Sequence, residues 1–232
     1  MSAAAGSGVR GVSIDATGTL FHCPRLGELY SETLGRHGVS ISPESCATQF
    51  RHAWLEFECR SDPSRDRWAR HRGGAQGWWS ELIRRVCSLA DAPEPTEFAV
   101  LELFHRFTLR EAWEVYPDAL VFLENLRERG LPCVVTSNWD HRLHQVIANL
   151  ELAPYLRGVV CSEDVGAAKP APPIFERTRA LLEEAGASGD ELLHIGDDGL
   201  CDVEGSEANG FEGMLLDRSK GTLTDLLERF DH

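Results

Sequence analysis

The amino-acid sequence predicts an α/β protein: a parallel five-stranded core sheet with helices on both faces, and an α-helical segment inserted after the first strand. Three observations carry this. Five short β-branched runs, at 9–14, 132–136, 158–161, 192–195 and 213–216, each end in small or polar residues. The last four alternate with helical patterns at 119–129, 141–150, 173–185, 202–209 and 224–230. Near-continuous apolar strands alternating with helices are the pattern of a parallel sheet covered on both faces. Third, residues 22–116 hold five of the six tryptophans, with helical spacing and no convincing strand.

Within that insert the spacing predicts helices over 26–37, 45–60, 76–89 and 96–109, with turns supplied by Gly38, Pro43, the Gly73–Gly74 pair, Pro93 and Pro95. The hinges fall near 21–24 and 116–117. The division is therefore a core of 9–21 and 117–232, a helical cap of 22–116, and a small-residue lead-in, 1–8, read as flexible because it lacks a signal-peptide layout. A chain of 232 residues is long enough for such a core with one inserted smaller domain.

Composition narrows the function classes. The net charge is −14, which argues against nucleic acid as a general partner. No apolar run approaches a membrane span, so no membrane partner is expected. The seven cysteines are scattered without a CxxC pair, which favours free thiols in a reducing cytoplasm over disulfides or a zinc site. The charge is uneven: residues 22–116 carry 12 Arg against 14 acidic residues, so most of the negative charge lies in the core. An acidic core handling an anionic substrate needs a bound cation. Only two of the 23 Lys and Arg residues are lysine, Lys169 and Lys220, and in a chain that otherwise uses Arg a Lys is either chance or a site wanting a compact ammonium rather than a planar fork.

In sheets of this kind the ligand crevice lies beyond the carboxyl ends of the strands. The first strand delivers Asp15, then Ala16-Thr17-Gly18-Thr19-Leu20. The second delivers Thr136-Ser137-Asn138; Lys169-Pro170 follows the third; the fourth delivers Gly196-Asp197-Asp198, with Asp202 four residues on. Carboxylate, hydroxyl, ammonium and carboxylate cluster then face one crevice, which makes chemical sense for phosphoryl transfer. A carboxylate nucleophile repels a phosphate, so a divalent cation must bridge them, and Asp15 with Asp197, helped by Asp198 or Asp202, is an all-oxygen set suited to Mg²⁺. Ser137 and Lys169 hold the transferring oxygens, and Gly18 lets backbone amides approach the phosphate.

These residues, in this order, resemble the four motifs of the haloacid dehalogenase superfamily, and the position of the helical insert resembles its C1 cap subclass. The stretch 134–142 with the run 196–202 is most similar to the subgroup called haloacid dehalogenase-like hydrolase domain-containing protein 3. The resemblance implies a Rossmann-like core and an aspartyl-phosphate formed on Asp15. It implies Mg²⁺ held by Asp15, the backbone carbonyl of Thr17 and Asp197, with Asp202 adjacent. It also implies phosphate contacts from Gly18, Ser137, Asn138 and Lys169, and a small phosphorylated molecule as substrate.

The chain departs from the pattern at Thr17, where phosphatases of this superfamily place an Asp that protonates the leaving group. General acid–base catalysis contributes roughly 10²–10⁴-fold, so turnover is expected to be slow, or the cap or substrate supplies the acid. Two alternatives stand beside the phosphatase: a metal-free 2-haloacid dehalogenase-like hydrolase, and a ligand-binding protein without turnover. Phosphonatases use a cap lysine, and 22–116 has none. Blander readings accompany the rest: His141 and His144 as a solvated helix face, His194 as a buried strand residue, the arginines between 60 and 72 as a solvated face, Trp78 and Trp79 as cap core. Asp140 reads as the cap of the following helix, and the sequence leaves oligomeric state open.

Overall fold

The computed structural model describes residues 8–58, 65–187 and 191–230. The lead-in 1–7, Cys59, Arg60 and Asp62 lie outside the described residues. Five strands, β1 (Gly11–Ile14), β4 (Cys133–Ser137), β5 (Gly158–Cys161), β6 (Leu192–Gly196) and β7 (Glu212–Leu215), form one sheet in the order β5-β4-β1-β6-β7, every pair parallel. β1 is central, flanked by the strands that end in Ser137 and Gly196. Adjacent parallel strands terminate on the same edge, so Asp15, Ser137 and Asp197 emerge side by side.

Alternation along the strands separates two faces. Val12, Ile14, Cys133, Val135, Leu193 and Ile195 pack with α5 (Pro117–Glu128), α6 (Arg142–Asn149) and the C-terminal 3₁₀ turns of Leu223–Phe230. Val134, Val160 and Leu192 face α8 (Pro172–Glu184) through Ile174, Phe175 and Leu182. That second face also buries three polar residues, Ser13, Thr136 and His194, all at 0% exposure. Proline opens α5 and α8 at positions where its missing N–H costs nothing.

The insert contributes α1 (Leu26–Arg36), α2 (Pro43–Glu58), α3 (Gly74–Leu89) and α4 (Glu97–Arg106), around a core of its own that includes Tyr30, Trp68, Trp78, Leu82 and Leu103. Thr96 caps α4, its Oγ1 accepting from the Ala99 amide at 3.2 Å. The sequence reading found no strand here, yet the two connections to the core pair with each other: β2 (Phe21–His22) runs antiparallel to β3 (Glu114–Val115). Two residues per strand are too few for periodicity to register, and long-range pairing supplies what local sequence does not show. The helix expected over 202–209 begins earlier, as a π-helical turn over Gly199–Glu204 followed by α9 (Gly205–Ala208).

A buried ion pair joins core to insert. Arg142 grips Asp140 through Nε to Oδ1 at 2.8 Å and Nη2 to Oδ2 at 2.7 Å. Its Nη1 donates to the Phe104 carbonyl of α4 at 2.6 Å, and the guanidinium lies 3.8 Å from the Phe104 ring centroid and 5.1 Å from that of Trp79. Trp79 Nε1 of α3 completes the set by donating to Asp140 Oδ2 at 2.7 Å. Asp140 also accepts from the Arg142 amide, but the N-cap position of α6 is taken by His141, so the ion pair stands where the sequence suggests a cap.

Removing one member of a buried pair leaves an uncompensated charge. Arg142→Met should lower the unfolding free energy by about 3–5 kcal/mol, measured by urea denaturation; a loss below about 1 kcal/mol would show that the pair is worth no more than an exposed one. Burial pushes the Asp140 carboxyl up, but Arg142 and Trp79 outweigh it and hold the group below the usual carboxylate range. Its folded pKa lies below the unfolded value, so its contribution is present above roughly pH 4 and fades as pH falls through the folded pKa. A stability–pH series should therefore show a shallower acid-side decline in Asp140→Asn than in the wild type.

Candidate active site

At the carboxyl edge of β1, Asp15 is 7% exposed and Lys169 2%. Lys169 reaches this edge from the loop after α7 (Ser162–Val165), a helical turn that the sequence reading did not anticipate. Its Nζ donates to Asp15 Oδ1 at 2.6 Å, to Asp202 Oδ1 at 2.5 Å and to the Thr136 carbonyl at 2.9 Å. All three ammonium donors are thus used, two of them on carboxylates, where the bonds are strongest. Ser137 Oγ donates to the same Asp15 Oδ1 at 2.8 Å. Two donors therefore fix one oxygen of Asp15.

Asp197 and Asp202 stand beside them. One carboxylate oxygen from each of Asp15, Asp197 and Asp202 lies within 4.8 Å of the others. Burial, with the charges of Asp202 and Asp197, pushes the Asp15 carboxyl up to about 6 against the pull of Lys169. Burial and Asp202 also raise Asp197. In Asp202 burial is outweighed by Lys169 and His194, which hold its pKa well below the usual range. The Lys169 ammonium is kept charged by the two carboxylates despite its burial. One ammonium against three carboxylates leaves an excess of negative charge on oxygen, the chemistry that a hard divalent cation fits. Asp15, Asp197 and Asp202 are the residues able to hold one.

Gly18 shows why this set can assemble. Its φ is +88°, and a Cβ there would sit 2.2 Å from Asp197 Oδ2. Gly18 is expected from the sequence to let backbone amides approach a phosphate; its own N–H donates to the Phe21 carbonyl at 2.9 Å. What the missing side chain provides is clearance for Asp197. Asn138 also differs from expectation. Its Oδ1 accepts from the Lys169 amide at 2.7 Å and its Nδ2 donates to the Lys169 carbonyl at 3.0 Å, so the side chain clasps the lysine loop instead of facing a phosphate. Asp198 caps the π-turn through the amides of Leu200 and Cys201, while its own amide donates to Asp202 Oδ2 at 2.9 Å. Thr17 Oγ1 accepts from Trp139 Nε1 at 2.9 Å, and no carboxyl stands at its position.

Several contributors were not legible as site residues. His194 bridges Asp202 Oδ1 at 3.1 Å and Ser13 Oγ at 2.7 Å. Ser13 continues to Thr136, and Thr136 to Thr178 of α8. This buried polar chain ties the carboxylate that holds Lys169 to the helix beneath the sheet. A hydroxyl or imidazole inside a strand carries no sequence signal of such a role, although three polar residues in otherwise apolar strands were a hint. His141 and His144, read as a solvated face, are exposed but pair with Glu163 and Asp164 at 2.7 Å each. Of the arginine-rich stretch, Arg67 is mostly buried over the rings of Trp54, Trp68 and Trp78 and paired with Glu58; Asp66 is fully buried. Arg65, Arg70 and Arg72 are exposed, as that reading expects, and charge pattern alone does not reveal that Arg67 turns inward.

The site opens into a cavity of about 820 Å³ bounded by core and insert, reached by Asp15, Thr17, Ser137, Lys169 and Asp197 on one side and by Trp54, Trp79 and Phe107 on the other.

A family model for haloacid dehalogenase-like hydrolases matches residues 9–210. The chain belongs to this family. It is 31% identical over 226 residues to the haloacid dehalogenase-like hydrolase domain-containing protein 3 of Danio rerio, covering 94% of this chain and 89% of that protein. Among solved structures it resembles a haloacid dehalogenase-superfamily phosphatase from Thermococcus onnurineus, with a TM-score of 0.64, 22% identity and coverage of 96% and 98%. It also resembles an L-2-haloacid dehalogenase, with a TM-score of 0.74, 19% identity and coverage of 97% and 100%. At these identities the structural likenesses establish the shared fold, and the chemistry has to be argued from the site.

Lys169→Met should expose how far the family's charge balance supports the fold. With the ammonium gone, buried Asp15 and Asp202 face each other uncompensated, and the metal-free protein should lose about 3–5 kcal/mol in urea unfolding. A double variant that adds Asp202→Asn should recover part of that loss; no recovery would mean the two residues are not coupled.

Proposed function

We propose that this hydrolase is a Mg²⁺-dependent phosphatase that works through an aspartyl-phosphate on Asp15. The observation that carries the reading is the convergence of Ser137 Oγ and Lys169 Nζ on Asp15 Oδ1, next to the carboxylates of Asp197 and Asp202. With Oδ1 held by two donors, Oδ2 is the oxygen that attacks phosphorus. The P–O bond to the leaving alcohol breaks, and water then hydrolyses the acyl phosphate, returning the carboxylate. Lys169 and Ser137 offset the negative charge on the transferring oxygens.

Mg²⁺ fits the oxygen-only donor set of Asp15, the Thr17 carbonyl and Asp197, and when bound it screens the nucleophile from the phosphate it attacks. In this arrangement Asp202 adds charge to the site while its two oxygens orient Lys169, His194 and the Asp198 amide. The carboxylates of Asp197 and Asp202 weigh against a metal-free attack on carbon, which has no use for such an excess of charge. The substrate set is small phosphorylated molecules, with the protein acting in the cytoplasm as the free thiols suggest.

Thr17 sets the rate. Its hydroxyl cannot protonate a leaving alcohol at neutral pH, so leaving groups that need no proton should be favoured. Hydrolysis of p-nitrophenyl phosphate and of a panel of phosphorylated metabolites should depend on Mg²⁺ and vanish in Asp15→Asn. Halide release from 2-haloacids without metal, in place of that activity, would support the dehalogenase instead. Thr17→Asp should raise kcat on poor leaving groups by roughly 10²–10⁴-fold. Ligand-dependent stabilisation with no product, before and after that substitution, would leave a binding protein as the better description.

A further inference from the structure

The cavity over Asp15 is far larger than a phosphate. Sites of several hundred cubic ångströms that are mostly apolar, with a few placed polar groups, are built for a ligand body and not for a headgroup alone. Here the body faces rings: Phe50, Trp54, Trp79, Phe107, Trp113 and Trp139 all line the 820 Å³ space that also holds Asp15, Ser137 and Lys169. These rings are already organised among themselves. Phe50 stacks on Trp54 with centroids 5.9 Å apart and planes 20° apart, and Trp113 meets Trp139 at 5.3 Å.

Two guanidiniums on the cavity's walls point the same way. Arg67 of the insert and Arg142 of α6 are each committed to a carboxylate, Glu58 and Asp140 respectively, and both lie over aromatic faces. A second phosphate at either of these two guanidiniums would have to break its pair.

From these walls we propose that the substrate is a monophosphate ester of a flat aromatic alcohol, its ring system held between the aromatic side chains of the insert. This rests on the phosphatase reading and names its substrate class. Apolar area gained by the ring favours binding, and ring-on-ring geometry adds to it beyond area alone. Aromatic phosphates are also the esters that suit Thr17, since a phenolate leaves without a proton more readily than an alkoxide.

The test is isothermal titration of the full chain in Mg²⁺ with three phosphonates that cannot be hydrolysed: methylphosphonate, octylphosphonate and (1-naphthylmethyl)phosphonate. The naphthyl compound should bind at least about tenfold tighter than methylphosphonate and tighter than the octyl compound. Trp54→Ala should erase most of the naphthyl advantage. Phe50→Leu, which keeps an apolar side chain and removes the ring, should shrink the naphthyl-to-octyl ratio even if the larger truncation fails to fold. Equal affinity for methyl and naphthyl compounds, or an octyl compound that binds as well as the naphthyl, overturns the proposal. Turnover of 1-naphthyl phosphate separates the two readings. If the naphthyl phosphonate binds as expected but Mg²⁺-dependent hydrolysis blocked by Asp15→Asn is absent, the phosphatase reading fails and the aromatic subsite stands. If hydrolysis occurs and glucose 6-phosphate is preferred, only the aromatic proposal fails.

Discussion

Lys169 is the one ammonium buried at the carboxyl edge of the sheet, and it sits between Asp15 and Asp202 at 2.6 and 2.5 Å. Without it the strand ends would crowd carboxylates into a desolvated space where they could not all ionise. With it, Asp202 stays ionised and Asp15 is held in place by one oxygen. The rest of the core is arranged around that contact. Asn138 clasps the backbone of Lys169 from the β4 loop. The Thr136 carbonyl accepts a hydrogen bond from its third N–H. His194, Ser13, Thr136 and Thr178 brace Asp202 from beneath the sheet.

The order of the sheet explains why these groups meet. Asp15 leaves the central strand, Ser137 and Asp197 follow the strands on either side, and the Lys169 loop is brought back by α8 packing on the second face. Gly18 then decides how close Asp197 comes, since any side chain there would occupy the space of its carboxylate. The insert is fixed to the same loop that carries Ser137, because Asp140 and Arg142 lie three and five residues beyond it and bind Trp79 and Phe104. Core chemistry and cavity shape are thereby linked through one short segment.

Much of this was legible in the sequence. Alternating strand and helix patterns located all five core strands, and the residues at their ends marked Asp15, Ser137, Lys169 and Asp197 because chemistry concentrates there in parallel sheets. Features that depend on distant partners were not legible. Asp140 looks like a capping residue, and Arg142 carries no signal of its own, until Trp79 and Phe104 arrive from more than thirty residues away. His194 was placed in the interior correctly, yet its link to Asp202 needs the π-turn that swings Asp202 back beneath the strand end. Gly18 and Asn138 read as phosphate contacts, while the clearance Gly18 leaves for Asp197 and the bonds Asn138 makes to Lys169 depend on partners the local sequence does not show. Arg67 read as solvated because a charge run does not show which face it turns inward.

The central claim is that the Asp15 carboxylate becomes phosphorylated, and Thr17 makes this unusually open to test, since a site without its proton donor turns over slowly. The most direct measurement is borohydride trapping of the protein with Mg²⁺ and an aryl phosphate, followed by peptide mass spectrometry. Reduction of an acyl phosphate converts the aspartate to homoserine. The account predicts homoserine at position 15 and nowhere else, dependent on Mg²⁺. An unmodified Asp15 under conditions where product is released, or trapping at a different carboxylate, would contradict it.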